Sequence, residues 1–210
     1  METLLRHNFT SHYLLPANAA ANLSIGTNAA YFELDDVNGE TQLFTVVSNA
    51  PAVYHNNGIY DVVIINHDKF ISTLPPVYQQ KKKRCDLIVY TSLNQYFLLN
   101  ELSDTASNYL DYPDQAGTRT GKKIQATKQL SESLDRLMNV PAIKTFINNF
   151  VIKRCCFFNK QPDAPLVNAL QSFNRFNTLI KGGAKRANAD IEAHGFELFD
   201  YLGRQSFDLN

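Results

Sequence analysis

The chain has 210 residues, 20 basic and 20 acidic, with 44% hydrophobic and 19% charged side chains. That length suits a single domain with a full core, and the balance is that of a soluble globular protein. No apolar run nears the roughly 18–20 residues that cross a bilayer, and "METLLRHNFTSHYLLPANAA" has no basic start before a long apolar run, so neither a membrane span nor a signal peptide is expected. The neutral total hides an uneven spread: residues 1–70 carry −5, residues 71–190 carry +8 and residues 191–210 carry −3. A basic middle suits phosphate contacts or simply solvated helix faces. Cys85, Cys155 and Cys156 are odd in number, two are adjacent, and all lie in apolar runs. They read as buried thiols of a reducing, cytoplasmic compartment rather than a disulfide frame. No Cys/His spacing suits zinc, and the five scattered histidines read as structural or exposed.

In chain order, the first 30 residues offer a short helix or an ordered coil. "AYFELDD" and "TQLFTVVS" are strands joined by a turn at Asn38-Gly39. "IYDVVIINH" is apolar almost throughout, as a strand buried on both faces would be. Pro75-Pro76 breaks the chain, and "CDLIVY" and "QYFLLNE" then form a hairpin. After the polar loop "SNYLDYPDQAGTRTG", Ile124, Thr127, Leu130, Leu134, Leu137 and Met138 recur at helical spacing. Pro141 bends or ends that helix, and "AIKTFINNF" continues as a second helical segment. "VIKRCCFFN" is β-rich. "DAPLVNALQSFNRFNTLIKGG" reads as a helix, with Asp163 as cap, Pro165 in the first turn and Gly182-Gly183 as stop. "HGFELFDYLG" suits a strand or a short helix equally. This order predicts an α/β or α+β fold, a mixed central sheet flanked by helices. A core over about 30–160 and a C-terminal helical extension over about 161–210 would make up the single domain.

The hairpin carries the chemistry. Paired about Leu93-Asn94, cross-strand partners have numbers summing to 187, so Tyr90 faces Phe97, Ile88 faces Leu99 and Asp86 faces Glu101. Opposed side chains of an antiparallel pair have Cβ atoms about 5 Å apart, and like charges there repel. A divalent cation between them would relieve the repulsion; Mg²⁺ takes one or two carboxylates plus phosphate oxygens. A one-residue slip of register would instead send one carboxylate to the other face.

An acidic residue on one strand, a short turn, a strand ending in Glu-x-Lys, then a helix and another strand resembles the core of the PD-(D/E)xK (restriction-endonuclease-like) nuclease superfamily. The likeness spans roughly residues 60–160, with Asp86 in the Asp position and Glu101-Leu102-Ser103 in the E-x-K position. "ATKQLSESLDRL" is similar to the helix that follows the motif. The resemblance implies a restriction-endonuclease-like core on a mixed four-stranded sheet, and a phosphodiesterase using Mg²⁺ or Mn²⁺ held by Asp86 and Glu101. Its departure is Ser103, which cannot supply the motif lysine's charge. By the same register Arg84 lies opposite Ser103. Lys128 or Lys123, from the following helix, are the better replacements, since arginine stays protonated. Alternatively catalysis is lost, and the fold persists as a subunit that holds nucleic acid or a protein partner.

Lys81, Lys82, Lys83, Arg84, Lys122, Lys185 and Arg186 are the expected nucleic-acid contacts, DNA or RNA being undecided. The bland alternatives are a solvated strand edge for residues 81–84 and charge at a helix end for Lys181. Glu33 and Asp35 share a strand face and offer a further metal ligand, or ordinary alternation. The expectation is a nuclease-like protein without a membrane segment, in a prokaryotic defence or nucleic-acid-processing complex. Its competitors are the inactive scaffold and a plain interaction protein.

Overall fold

Asn38 and Gly39 both sit at positive φ, 57° and 78°, the paired left-handed conformation of a two-residue hairpin turn. They join β2 (Tyr31–Val37) to β3 (Glu40–Phe44) in the register Val37↔Glu40. This is a computed structural model of the chain, and it describes residues 1–18, 20–79, 83–106, 109–111, 120–160 and 182–210. The expected helix at 163–183 falls almost wholly outside these residues, as do Lys81 and Lys82.

A π-helical segment, Leu4–Phe9, runs into a short helix, α1 (Thr10–His12), and buries Leu5 and Phe9. The first strand, β1 (Ser24–Thr27), precedes the hairpin; β4 (Ala52–Asn56) and β5 (Val62–Asn66) follow it. Two short helices, α2 (His67–Ser72) and α3 (Pro76–Gln79), lead to β6 (Leu87–Thr91) and β7 (Tyr96–Ser103). Next come α4 (Lys122–Met138), α5 (Pro141–Asn148) and β8 (Ile152–Asn159). The chain closes with β9 (Ala184–Arg186), α6 (Ala189–Ala193), β10 (Glu197–Leu202) and β11 (Ser206–Leu209). Pro141 does not bend α4. It opens α5 at the first turn, where its missing N–H has no helical acceptor to lose.

The expected mixed α/β class is present, but as two mixed sheets. One has the order β1-β5-β6-β7-β8-β10-β9, the other β11-β4-β2-β3. In the larger sheet β5, β6 and β7 are antiparallel, and β8 joins β7 in parallel after the crossover through α4 and α5. Every residue of β7 but the last is buried, so both of its faces are covered. Phe97 and Leu99 pack with Leu130, Leu134 and Leu137 of α4, while Leu98 and Leu102 pack with Phe32 and Tyr54 of the smaller sheet. Each such side chain contributes about 2–3 kcal/mol relative to exposure.

The C-terminal residues differ from the helical extension expected there. Within 182–210, β9 and β10 extend the larger sheet and β11 extends the smaller. The reason is a period of two: β10 sends Leu198 into the helix-side cluster and Tyr201 into the inter-sheet cluster, a division that a strand makes and a helix does not. Among the described residues, no helix is long and apolar enough to cross a membrane.

Candidate metal-binding and catalytic site

The β6–β7 register is the expected one: Leu87↔Asn100, Ile88↔Leu99, Val89↔Leu98 and Tyr90↔Phe97. Thr91 Oγ1 caps the turn by accepting from Gln95 N–H (3.1 Å) and Tyr96 N–H (3.0 Å), which holds the four-residue connection and hence the parity of both strands. The expected Asp86–Glu101 pairing does not follow, because the ladder starts at Leu87↔Asn100 and the Asp86 N–H also donates to Asn100 O (3.0 Å), which sets Asp86 and Leu87 both against Asn100 as at a β-bulge. The Asp86 carbonyl turns to α2, accepting from His67 N–H (2.9 Å) and Asp68 N–H (3.1 Å). The Leu102 N–H is then met by the Asp86 carboxylate itself, at 2.7 Å to Oδ2. Leu99 belongs to the helix-side cluster, so by strand alternation Glu101 faces α4, and the Asp86 carboxylate lies near enough for its charge to act on Glu101 and for Lys122 to act on it.

Glu101 is only 2% exposed, and Lys122 Nζ lies 3.0 Å from its Oε1. Its Oε2 is buried and accepts no hydrogen bond of good geometry among the described residues. Burial raises the Glu101 carboxyl from 4.5 to about 8, the Asp86 charge pushes it the same way, and Lys122 pulls it back. Burial also raises Asp86 from 3.8 to about 7, against the pull of the Leu102 N–H. Two further carboxylates act on Asp86, Asp36 from the end of β2 and Asp68 from the first turn of α2. Asn66 fixes this convergence: its side chain caps α2 through Lys69 N–H (2.7 Å) and donates to Gly39 O (2.9 Å), pinning the β2–β3 turn beside α2.

The cation brought to the pair is therefore Lys122, expected from sequence as a phosphate contact. Lys123 points elsewhere, paired with Asp111 at 3.0 Å. Lys128 lies six residues beyond Lys122 on α4, so it sits about 120° around the helix from it. Ser103 faces neither carboxylate as a partner: its Oγ donates to Thr105 Oγ1 (2.8 Å) and accepts from Thr105 N–H (3.1 Å). Arg84 does not fill the space opposite Ser103, because its guanidinium is ion-paired with Asp68.

The remaining cations divide between two places. Lys83 donates its N–H to Glu132 Oε2 (3.0 Å) and, with Arg84, lines a cleft next to the pair. Lys185 and Arg186 lie on β9 rather than in a loop, paired with Glu197 and Asp200, each at 2.7 Å. That strand is three positions from β7, about 14 Å across the sheet. Glu33 is no metal ligand. Its two oxygens meet the Tyr31 and Ser48 hydroxyls, the Ser48 and Ala50 N–H groups and Arg204. The charged neighbours of Asp35 are Lys160 and Asp104. Cys85 is buried with Sγ 3.4 Å from His67 Nδ1, yet burial raises the thiol and lowers the imidazole to about 4, so the two form no thiolate–imidazolium pair.

Asp36 and Asp68 escaped the sequence reading. The one available signal was Asp36 immediately before the Val37-Asn38-Gly39 turn, which a turn assignment alone does not aim at a site. Among the described residues, no three His, Cys, Asp or Glu side chains form a group able to hold a metal ion, so the candidate centre is a two-carboxylate one. Known protein-family models, curated proteins and solved structures contain no match to this chain.

Proposed function

We propose that the chain is a metal-dependent phosphodiesterase acting on nucleic acid in a reducing cytoplasm. The observation that carries this reading is Glu101: nearly fully buried, one oxygen held by Lys122, the other without a hydrogen-bond partner of good geometry among the described residues, and the Asp86 carboxylate close enough to act on it. Buried carboxylates without full compensation are costly, and a pair with raised pKa values is a common mark of a functional centre. The order β5-β6-β7 antiparallel, helical crossover, β8 parallel supports the resemblance to the PD-(D/E)xK core.

Hard oxygen donors and an Oε2 without a good partner among the described residues fit Mg²⁺ or Mn²⁺, which Asp86 and Glu101 would hold and which would supply Lewis-acid charge stabilisation to a phosphodiester. The Leu102 N–H orients Asp86 Oδ2. Lys122 supplies the positive charge that Ser103 lacks, from the first turn of α4 rather than from β7. With three donors on a flexible stem, it is able to leave Glu101 Oε1 for a phosphate oxygen. The three cysteines are free and buried, in keeping with a reducing compartment.

The test is divalent-dependent cleavage of DNA and of RNA. It should vanish with chelator and in both Asp86→Asn and Glu101→Gln; cleavage retained by either variant removes this site. A second reading, a nuclease-like subunit without catalysis in a nucleic-acid-processing complex, is favoured by the engagement of Ser103 with Thr105. It gains if nucleic acid binds with steep salt dependence and is never cut.

A further inference from the structure

A polar cleft of about 460 Å³ opens beside the carboxylate pair, lined by Asp68, Lys83, Arg84, Thr120, Gln125 and Gln129. Gln129 belongs to both places, because it lines the cleft and also acts on the Glu101 carboxylate. Lys122, Gln125 and Gln129 follow one another at spacings of three and four, a single stripe of α4. The stripe runs from the Glu101 ion pair along the cleft wall. Its two amides are held by backbone carbonyls: Gln125 Nε2 donates to Thr120 O (2.7 Å) and Gln129 Nε2 to Arg84 O (3.0 Å). Each amide keeps its carbonyl oxygen and a second N–H, and the oxygen would accept from a donor such as the amino group of a base.

We propose that this cleft takes one unpaired nucleotide beside the scissile phosphate, so that the substrate is single-stranded nucleic acid. The volume matches small-molecule sites of about 300–1,000 Å³ and is far too small for a duplex. A base reaches amides lining such a cleft only when it is out of its stack and pair. Lys83 and Arg84 line the same cleft as phosphate partners. In the ligand-free protein Arg84 is neutralised by Asp68. A phosphate takes over that guanidinium, and the bidentate geometry of arginine suits the exchange. Asp68 therefore weakens binding in the free protein by competing for Arg84.

The inference rests on the phosphodiesterase reading for its chemistry, but its binding step is measured separately. Fluorescence anisotropy with a short labelled oligo(dA), free or annealed to oligo(dT), in Ca²⁺ to suppress turnover, reads the preference directly. Single strand should bind about tenfold or more tighter than duplex. Lys83→Ala and Arg84→Ala should each weaken single-strand binding, on the order of tenfold, and lower the salt slope by about 0.7. Asp68→Asn should tighten it, a result that loss of a merely structural ion pair does not produce, and thermal melts verify that each variant is folded. Equal or tighter binding of duplex, or Arg84→Ala and Asp68→Asn both leaving single-strand binding unchanged, overturns the cleft. Metal-dependent cleavage of duplex without single-strand preference would do the same while sparing the phosphodiesterase. Single-strand binding with no cleavage under Mg²⁺ or Mn²⁺ would spare the cleft and sink the phosphodiesterase.

Discussion

Glu33 and Glu101 are both buried in sheets, and the protein treats them in opposite ways. Around Glu33 the smaller sheet supplies two hydroxyls, two backbone N–H groups and the Arg204 guanidinium. Burial alone would raise that carboxyl, but the hydrogen bonds from Tyr31, Ser48 and Ala50 outweigh it and hold the group below its ordinary 4.5. Around Glu101, α4 supplies Lys122 but Oε2 has no good partner among the described residues, and burial, helped by the Asp86 charge, drives the carboxyl up. A satisfied carboxylate ties elements together. One left without a good partner among the described residues, beside another carboxylate, is a candidate for chemistry, and that contrast separates the two sites.

The sharpest way to break the contrast is to remove each carboxylate in turn. Glu101→Gln should cut divalent-dependent cleavage by about 10²–10³-fold, the scale for losing one group that stabilises developing charge, while its thermal midpoint holds or rises. Glu33→Ala should do the reverse. It strands Arg204 and costs about 3–5 kcal/mol in a denaturant titration, with turnover per folded molecule unchanged.

The two sites should also answer pH with opposite sign. Asp86 and Glu101 are raised from 3.8 and 4.5 to about 7 and about 8, so the folded protein holds their protons more tightly than the unfolded chain. Their contribution is complete below the unfolded values and is lost as pH climbs through the folded ones. Glu33 is depressed; its contribution is present above the unfolded value and disappears as pH falls through the folded one. Melts from acid to alkaline pH should show wild type losing stability on the upper limb and Glu101→Gln losing less. Mg²⁺ should restore that limb by about 2.7 kcal/mol at a hundred times its dissociation constant. A limb insensitive to Mg²⁺ would contradict a cation site at the pair.

Smaller effects sort the lysines. Lys122→Met removes the only positive charge paired with Glu101 among the described residues, so cleavage should fall by about tenfold or more, whereas Lys128→Ala should stay close to wild type. The least effect belongs to Ser103→Ala, which loses the Thr105 contacts. It should cost about 1 kcal/mol in the denaturant midpoint without changing turnover.

Much of this was legible in the chain itself, for local reasons. Asn38-Gly39 sets a two-residue turn because few other pairs accept positive φ twice in succession. An even connection between Thr91 and Tyr96, with apolar residues on alternate positions, leaves one register that buries both faces of β7, so the pairing from Leu87↔Asn100 to Tyr90↔Phe97 was arithmetic, while the slip of Asp86 onto Asn100 was not. The helical period from Lys122 to Met138 was equally local. What the chain could not reveal is which charges meet. Glu33 is completed by Arg204, 171 residues away, and Glu101 by Lys122 across the β7–α4 loop rather than by Lys123 or Lys128. Adjacent lysines on a helix point 100° apart, so one residue's phase decides which enters the site, and only the seating of α4 on the larger sheet sets that phase. The second sheet, the arrival of Asp36 and the strand character of residues 184–209 depend likewise on which apolar faces find one another, a question of tertiary packing.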